Sequence, residues 1–224
     1  MAKQRKNSNY VTEKTVAAKE EKALAEKKKE QIKQLKVIGL WSAVALLCVS
    51  IVVFVLLATG LFEYKPEVTY HATISFTDGT SLHVELYGND APYTVEHFVN
   101  LCRLGYFDGK NITALTGGQL FIGDEHGEGE DGVLGEFSAN GIKNNVPMNK
   151  GTLCMGRAEG YDSGYGQIFF LTQSKGSLKG DYAAFGCITD TTALTELLSS
   201  CEFDVFGSVV NAPTIKSISL HEAH

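Results

Sequence analysis

His71-Ala-Thr-Ile-Ser-Phe-Thr-Asp-Gly-Thr-Ser-Leu-His-Val-Glu-Leu-Tyr87 decides the fold of this chain. Ala72, Ile74 and Phe76 alternate with His71, Thr73 and Ser75, and Leu82, Val84 and Leu86 alternate with Ser81, His83 and Glu85. A period of two places one set on each face of a strand. Between the two runs lies Thr77-Asp78-Gly79-Thr80, and Asp-Gly is a strong short turn signal because the glycine accepts φ > 0. The stretch predicts a β-hairpin with one buried face.

Downstream, Ala91–Leu104 reads as a helix. Pro92 suits a first turn, Val95, Phe98, Val99 and Cys102 form one apolar stripe, and Gly105 suits the end. Glycine-rich loops and short strands follow to about Asp190. A second helix is expected over Thr192–Ser200 with Ala193, Leu194, Leu197 and Leu198 facing inward, and a last strand over Thr214–Leu220. Many strands and two helices in about 155 residues predict a mostly-β closed barrel capped by helices.

Upstream the pattern changes. Val37–Phe62 carries no Asp, Glu, Lys or Arg. About 20 apolar residues cross a bilayer core, so residues 37–62 are expected to form one transmembrane helix. A cleaved signal peptide has a shorter apolar region of about 7–15 residues. Trp41 lies near one end and Phe62 and Tyr64 near the other, as interfacial aromatics do. Residues 1–36 hold eleven Lys/Arg against five Glu, a net +6, whereas residues 63–224 sum to −12. The basic side of a span stays in the cytoplasm, so a single-pass protein of the cell membrane is expected, N-terminus cytoplasmic and the large domain outside. Residues 1–12 are expected without regular structure. Residues 12–36, rich in Ala, Lys and Glu, are expected as a juxtamembrane helix.

The expected organisation is thus a basic tail over 1–36, the span over 37–62, a linker over 63–70, the β domain over 71–221 and a tail over 222–224. The acidic outer domain argues against nucleic acid. Cys102, Cys154, Cys187 and Cys201 lie in that domain, and their spacing leaves both disulfides and buried free thiols open. The carboxylate-dense loop Asp124–Gly132 does not follow a calcium-loop spacing, and His221 and His224 sit at the chain end. No metal and no cofactor are expected.

Six further segments occur in order: Ala91-Pro-Tyr-Thr-Val-Glu-His-Phe, Gly105-Tyr-Phe-Asp-Gly, Glu136-Phe-Ser-Ala-Asn-Gly, Gly151-Thr-Leu-Cys-Met-Gly-Arg-Ala, Gly166-Gln-Ile-Phe-Phe and Gly180-Asp-Tyr-Ala-Ala-Phe-Gly. In order and spacing they resemble the cyclophilins, peptidyl-prolyl cis–trans isomerases, here of a membrane-anchored, bacterial-like kind. The resemblance implies an eight-stranded closed barrel capped by two helices, with a peptide groove on its outer face. It implies groove positions at Gly156, Arg157, Gln167, Phe169, Leu178 and Tyr182, with Leu120 at a pocket methionine.

The segment that carries the family's Phe-His-Arg run departs from the pattern. Here Ile112-Thr113-Ala114 falls on it, the stretch to Asp124 is one residue short, and no Arg or Lys occurs between Lys110 and Lys143. Gln119 is expected at a pocket phenylalanine and Ile122 at the glutamine that orients the arginine. Arg157 is the one nearby replacement donor. Three readings follow: a monomeric, membrane-tethered isomerase or foldase acting on proline-containing or extended exported polypeptides, with weakened activity; a degenerate cyclophilin that binds peptides without catalysis; or a structural partner that does not use the groove.

Overall fold

The alternation over residues 70–86 becomes two paired strands. In the computed structural model, which describes residues 2–58, 64–124 and 132–223, β1 (Tyr70–Phe76) and β2 (Ser81–Leu86) form an antiparallel hairpin with Ala72 opposite Val84 and Ile74 opposite Leu82. Gly79 adopts φ +94 at the turn, the conformation for which the Asp-Gly pair selects. Ala72, Ile74, Phe76, Leu82, Val84 and Leu86 are all buried, and the alternate residues face outward.

The remaining strands are β3 (Ile112–Thr116), β4 (Gln119–Ile122), β5 (Thr152–Met155), β6 (Ile168–Leu171), β7 (Ala184–Ile188), β8 (Glu202–Phe203), β9 (Val209–Asn211) and β10 (Ile215–Glu222). Eight of them form one sheet in the order β10-β1-β2-β7-β5-β6-β4-β3, while β8 and β9 pair separately. The sheet curls strongly around an interior that includes Phe76, Phe98, Phe107, Phe170 and Phe185. Its edges β3 and β10 meet through a bridge between Asn111 and Thr214, with Gly109 and Lys110 exchanging backbone bonds with Ile215 at 2.8 and 2.9 Å. The expected closed barrel is therefore a half-barrel whose seam is stitched at one end. Pro213 removes one backbone donor just before β10.

Two helices accompany the sheet. Helix α2 (Pro92–Arg103) buries Val95, Phe98, Val99 and Leu101. Ala91 offers no side chain to cap it, and the cap comes from a distant loop. Glu136, 1 % exposed, accepts the Tyr93 and Thr94 amides at 3.2 and 2.8 Å and the Thr94 hydroxyl at 2.7 Å. A carboxylate at this position also complements the positive end of the helix. Helix α3 (Thr191–Ser199) starts one residue before its expected position because the Asp190 side chain accepts from the Thr192 amide and fixes the N-cap there.

The chain divides into two compact units, residues 1–63 and 64–224. The first contains helix α1 (Ala2–Ala58). Residues 2–12, expected without regular structure, belong to this helix: no Pro or Gly interrupts the sequence before Gly39. Residues 59–62 of the expected span and Glu63 lie outside the described residues. Among the described residues α1 is the one helix long and apolar enough to cross a membrane, and its apolar stretch is not buried by protein.

The second unit begins with a strap. The Tyr64 hydroxyl donates to both Asp90 carboxylate oxygens at 2.9 and 2.8 Å, and that bond raises its pKa. The Thr69 hydroxyl donates to the Leu86 carbonyl and accepts the Gly88 amide.

Candidate functional site

Strand alternation also fixes what lies on the outer face of the half-barrel. On β4, Leu120 and Ile122 are fully buried in the interior, whereas Gln119 and Phe121 point outward. This corrects the sequence expectation by one residue. Leu120 faces the barrel core and cannot touch a peptide on the outer face. Phe121 takes an outward place beside Gln119, and Ile122 faces the core. The cause is the short β3–β4 turn at Gly117-Gly118, both with positive φ, which pairs Thr116 with Gln119 and so sets the register.

The outward residues build a second apolar cluster around Phe169. Phe169 on β6 stands opposite Phe121 on β4 and Cys154 on β5. Its ring lies 5.2 Å from that of Phe121, tilted by 47°, and 5.2 Å from that of Tyr182 at 89°. Leu178, Tyr182 and Phe121 are partly buried around Met148, Cys154, Phe169 and Leu171. Phe169 itself has no exposure at all. The rings of Phe121 and Tyr182 pack against it, and no face of Phe169 is open to solvent.

Gln167 and Gly156 lie together at the edge of this cluster. The Gly156 amide donates to the Gln167 carbonyl at 2.7 Å, and a Cβ on Gly156 would come within 2.8 Å of Gln167 Oε1. Glycine is required there because any side chain would displace Gln167.

Arg157 follows Gly156, and its guanidinium is engaged. Nε donates to the Asp181 carbonyl at 2.8 Å, and Nη1 to the carbonyls of Ala158 at 3.0 Å and Glu159 at 3.4 Å. The guanidinium carbon lies 5.4 Å from the ring centres of Phe137 and Tyr161 and 5.0 Å from that of Tyr182. An aromatic cage and three carbonyls hold it beside the cluster. The structure thus brings Gly156, Arg157, Gln167, Phe169, Leu178 and Tyr182 to one region and adds Phe121. Sequence alternation alone identifies Phe121 once the strand phase is known.

Ala114 lies on β3 directly opposite Phe121. It is half-buried on the side facing the cluster, and Thr113, at a bulge beside it, is exposed. No positive charge is delivered from β3 to the cluster.

The site also lacks a reactive thiol. Cys154 is entirely buried and desolvation pushes its pKa up. Burial, then the charge of Glu85, raises that of Cys187. Burial lifts Cys102 to about 12. All the cysteines are free. Among the described residues no group of three His, Cys, Asp or Glu is placed to hold a metal ion. Residues 125–131 of the acidic loop, and His224, lie outside the described residues.

An apolar outer cluster with a glutamine and a caged arginine at its rim suits the capture of a small apolar ring next to a peptide carbonyl. The comparisons agree in kind. A family model described as "Cyclophilin type peptidyl-prolyl cis-trans isomerase/CLD" matches residues 71–220. A peptidyl-prolyl cis-trans isomerase of Helicobacter pylori strain J99 is 30 % identical over 148 residues, covering 66 % of this chain and 90 % of that protein. Peptidyl-prolyl cis-trans isomerase B of Bacillus subtilis is 29 % identical over 124 residues, 55 % of this chain and 86 % of its own length. Among solved structures, a Cryptosporidium parvum cyclophilin crystallised in the presence of the dipeptide Ala-Pro superposes with a TM-score of 0.58 at 22 % identity, covering 67 % of this chain and 98 % of that one. This chain belongs to the cyclophilin-type peptidyl-prolyl cis–trans isomerase family.

Proposed function

We propose that the chain is a membrane-tethered cyclophilin that binds proline-containing segments of exported polypeptides and isomerises them slowly. The observation that carries this reading is the pairing of a retained apolar site around Phe169 with alanine at position 114. Rotation about an X–Pro bond faces a barrier of roughly 18–20 kcal/mol from amide resonance and needs no covalent step or cofactor. A site lowers it by holding the ring and favouring the twisted amide over the planar one. Phe169, Leu178 and Tyr182 supply the apolar contact once Phe121 turns aside, and Gln167 and the Gly156 backbone face the neighbouring peptide group. The Cryptosporidium relative was crystallised with Ala-Pro, the smallest ligand of this chemistry.

What Ala114 lacks is a donor to the prolyl nitrogen as its lone pair localises. Loss of one preorganised donor costs about 10²–10³ in rate at comparable sites. Arg157 does not replace it without leaving three carbonyls and three rings. Closure of Phe121 and Tyr182 over Phe169 weakens binding further, because only the open fraction of molecules is competent.

Location follows from charge and length. The basic residues 1–36 stay cytoplasmic, residues 37–62 span the bilayer, and the domain over 71–221 acts outside as a monomer. The second reading, a binder or scaffold without catalysis, is favoured by the same Ala114 and by the closed Phe169. An exchange experiment on the full-length chain in lipid nanodiscs separates the two. Slow but enzyme-dependent cis–trans exchange of a prolyl tetrapeptide supports the first, binding without exchange the second, and neither signal rejects both.

A further inference from the structure

Val205 and Phe206 are 93 % and 85 % exposed, the barest large apolar side chains among the described residues of the domain. They sit at the tip of the β8–β9 hairpin, and hydrogen bonds hold the turn. Asp204 Oδ1 accepts the amides of Phe206 and Ser208, both at 2.8 Å, and the Asp204 amide donates to the Ser208 carbonyl at 2.9 Å. Gly207 takes φ +84, and its carbonyl accepts the Leu115 amide at 2.8 Å. A Cβ at Gly207 would fall 2.1 Å from the Leu115 carbonyl oxygen, so only glycine lets the hairpin lie this close to β3. At its base Phe203 and Val209 pack on the core, while Val210 is 65 % exposed.

The base of the hairpin lies in the same run of neighbouring strands as the candidate site. Ser208 bridges Ala114, Ala114 stands opposite Phe121, and Phe121 stands opposite Phe169. Three strand spacings of about 4.8 Å separate Ser208 from Phe169, an extended peptide advances about 3.3 Å per residue, and the Val205–Phe206 tip lies two to three residues beyond Ser208 in the hairpin. We propose that the Val205–Phe206 tip is a second grip for the polypeptide bound at Phe169, taking an apolar side chain about four to six residues from the proline. The inference rests on the peptide-binding reading of the groove and adds a substrate class to it: segments with an apolar residue at that separation, as unfolded exported chains display. A lipid surface fits less well, because Glu202 and Asp204 flank the tip and the outer domain sums to −12.

The test uses the full-length chain in phosphatidylcholine nanodiscs and labelled Gly/Ser-rich peptides with one Ala-Pro. A single Leu is stepped from about two to about six residues away on either side of the proline. For the wild type, Leu about four to six residues away on one side should tighten binding about five- to tenfold over the Leu-free peptide. Val205→Ser with Phe206→Ser should erase that gain and leave Leu-free binding unchanged, which also reports that the variant is folded. A flat series in the wild type, or a gain that survives in the double variant, overturns the proposal while the groove reading stands. A flat series accompanied by loss of self-association, or of vesicle binding, in the double variant assigns the tip to a second copy or to lipid, and equally overturns it. No binding of any prolyl peptide overturns the groove reading and the tip with it.

Discussion

Replacing Ala114 by arginine should raise isomerase activity, and the structure sets the size of the gain. Ala114 faces the outer cluster, one strand spacing from Phe121 and two from Phe169. An arginine side chain spans the first spacing and part of the second, so its guanidinium comes to rest over the Phe121 ring at the edge of the Phe169 site. The position is half-buried on an outer face, so no charge enters the core. A restored donor is worth about 10²–10³ in kcat/KM. Part of this is lost because Phe121 must turn away, and an aromatic pair such as Phe121–Phe169 contributes about 0.5–1.5 kcal/mol, or up to about tenfold. Ala114→Arg alone should therefore gain about 10- to 100-fold. Adding Phe121→Gln removes the ring and supplies an amide oxygen to hold the guanidinium, and should recover the rest. The assay is cis–trans exchange of a prolyl tetrapeptide, with near-ultraviolet circular dichroism confirming the fold. If both variants match the wild type, the arginine position is not what limits catalysis here and the reasoning fails.

Phe121→Ala should tighten binding of prolyl peptides severalfold by uncovering Phe169 at a small cost in stability; weaker binding in a titration would make Phe121 a wall of the site rather than its cover. Glu136→Ala leaves two helix amides and a hydroxyl without their acceptor. It should lower unfolding free energy by about 2–4 kcal/mol in urea, with Glu136→Gln recovering about half, and a loss under about 1 kcal/mol would contradict the capping role. Acid should destabilise the domain. Burial raises the Asp78 pKa, but hydrogen bonds from Thr80 and Ser200 outweigh it and hold the carboxyl below its ordinary 3.8, and the Thr192 amide lowers Asp190 likewise. Depressed carboxyls stabilise the fold above their unfolded pKa, and that contribution is lost as pH falls through about 4 and below. The thermal midpoint should drop over that range, less so in Asp78→Asn, and an unchanged pH profile in that variant would count against the assignment.

The parts of this molecule readable from sequence are those where one local rule decides. The hairpin over 71–87 follows from alternation and Asp-Gly, helix α2 from Pro92 and its apolar stripe, and helix α3 to within one residue. The apolar helix was legible from length and absence of charge. Register was not legible: a turn one residue shorter flips every side chain on β4, so Leu120 and Phe121 exchanged faces. Nor was the state of Arg157, because its carbonyl partner on Asp181 and its ring contacts with Phe137 and Tyr182 come from distant loops. The open seam depends on how far a sheet curls, which no short pattern encodes. The missing arginine was legible, since a residue type absent from a segment needs no geometry to notice.

The most direct test is a single nuclear magnetic resonance titration of the full-length chain in nanodiscs with a prolyl tetrapeptide, reading binding and cis–trans exchange together. Saturable shifts are expected at Phe121, Phe169 and Tyr182, with exchange about 10²-fold or more slower than the Helicobacter pylori relative gives under the same conditions. Exchange as fast as that relative's, or no shift at Phe169 at any peptide concentration, would contradict the proposed function.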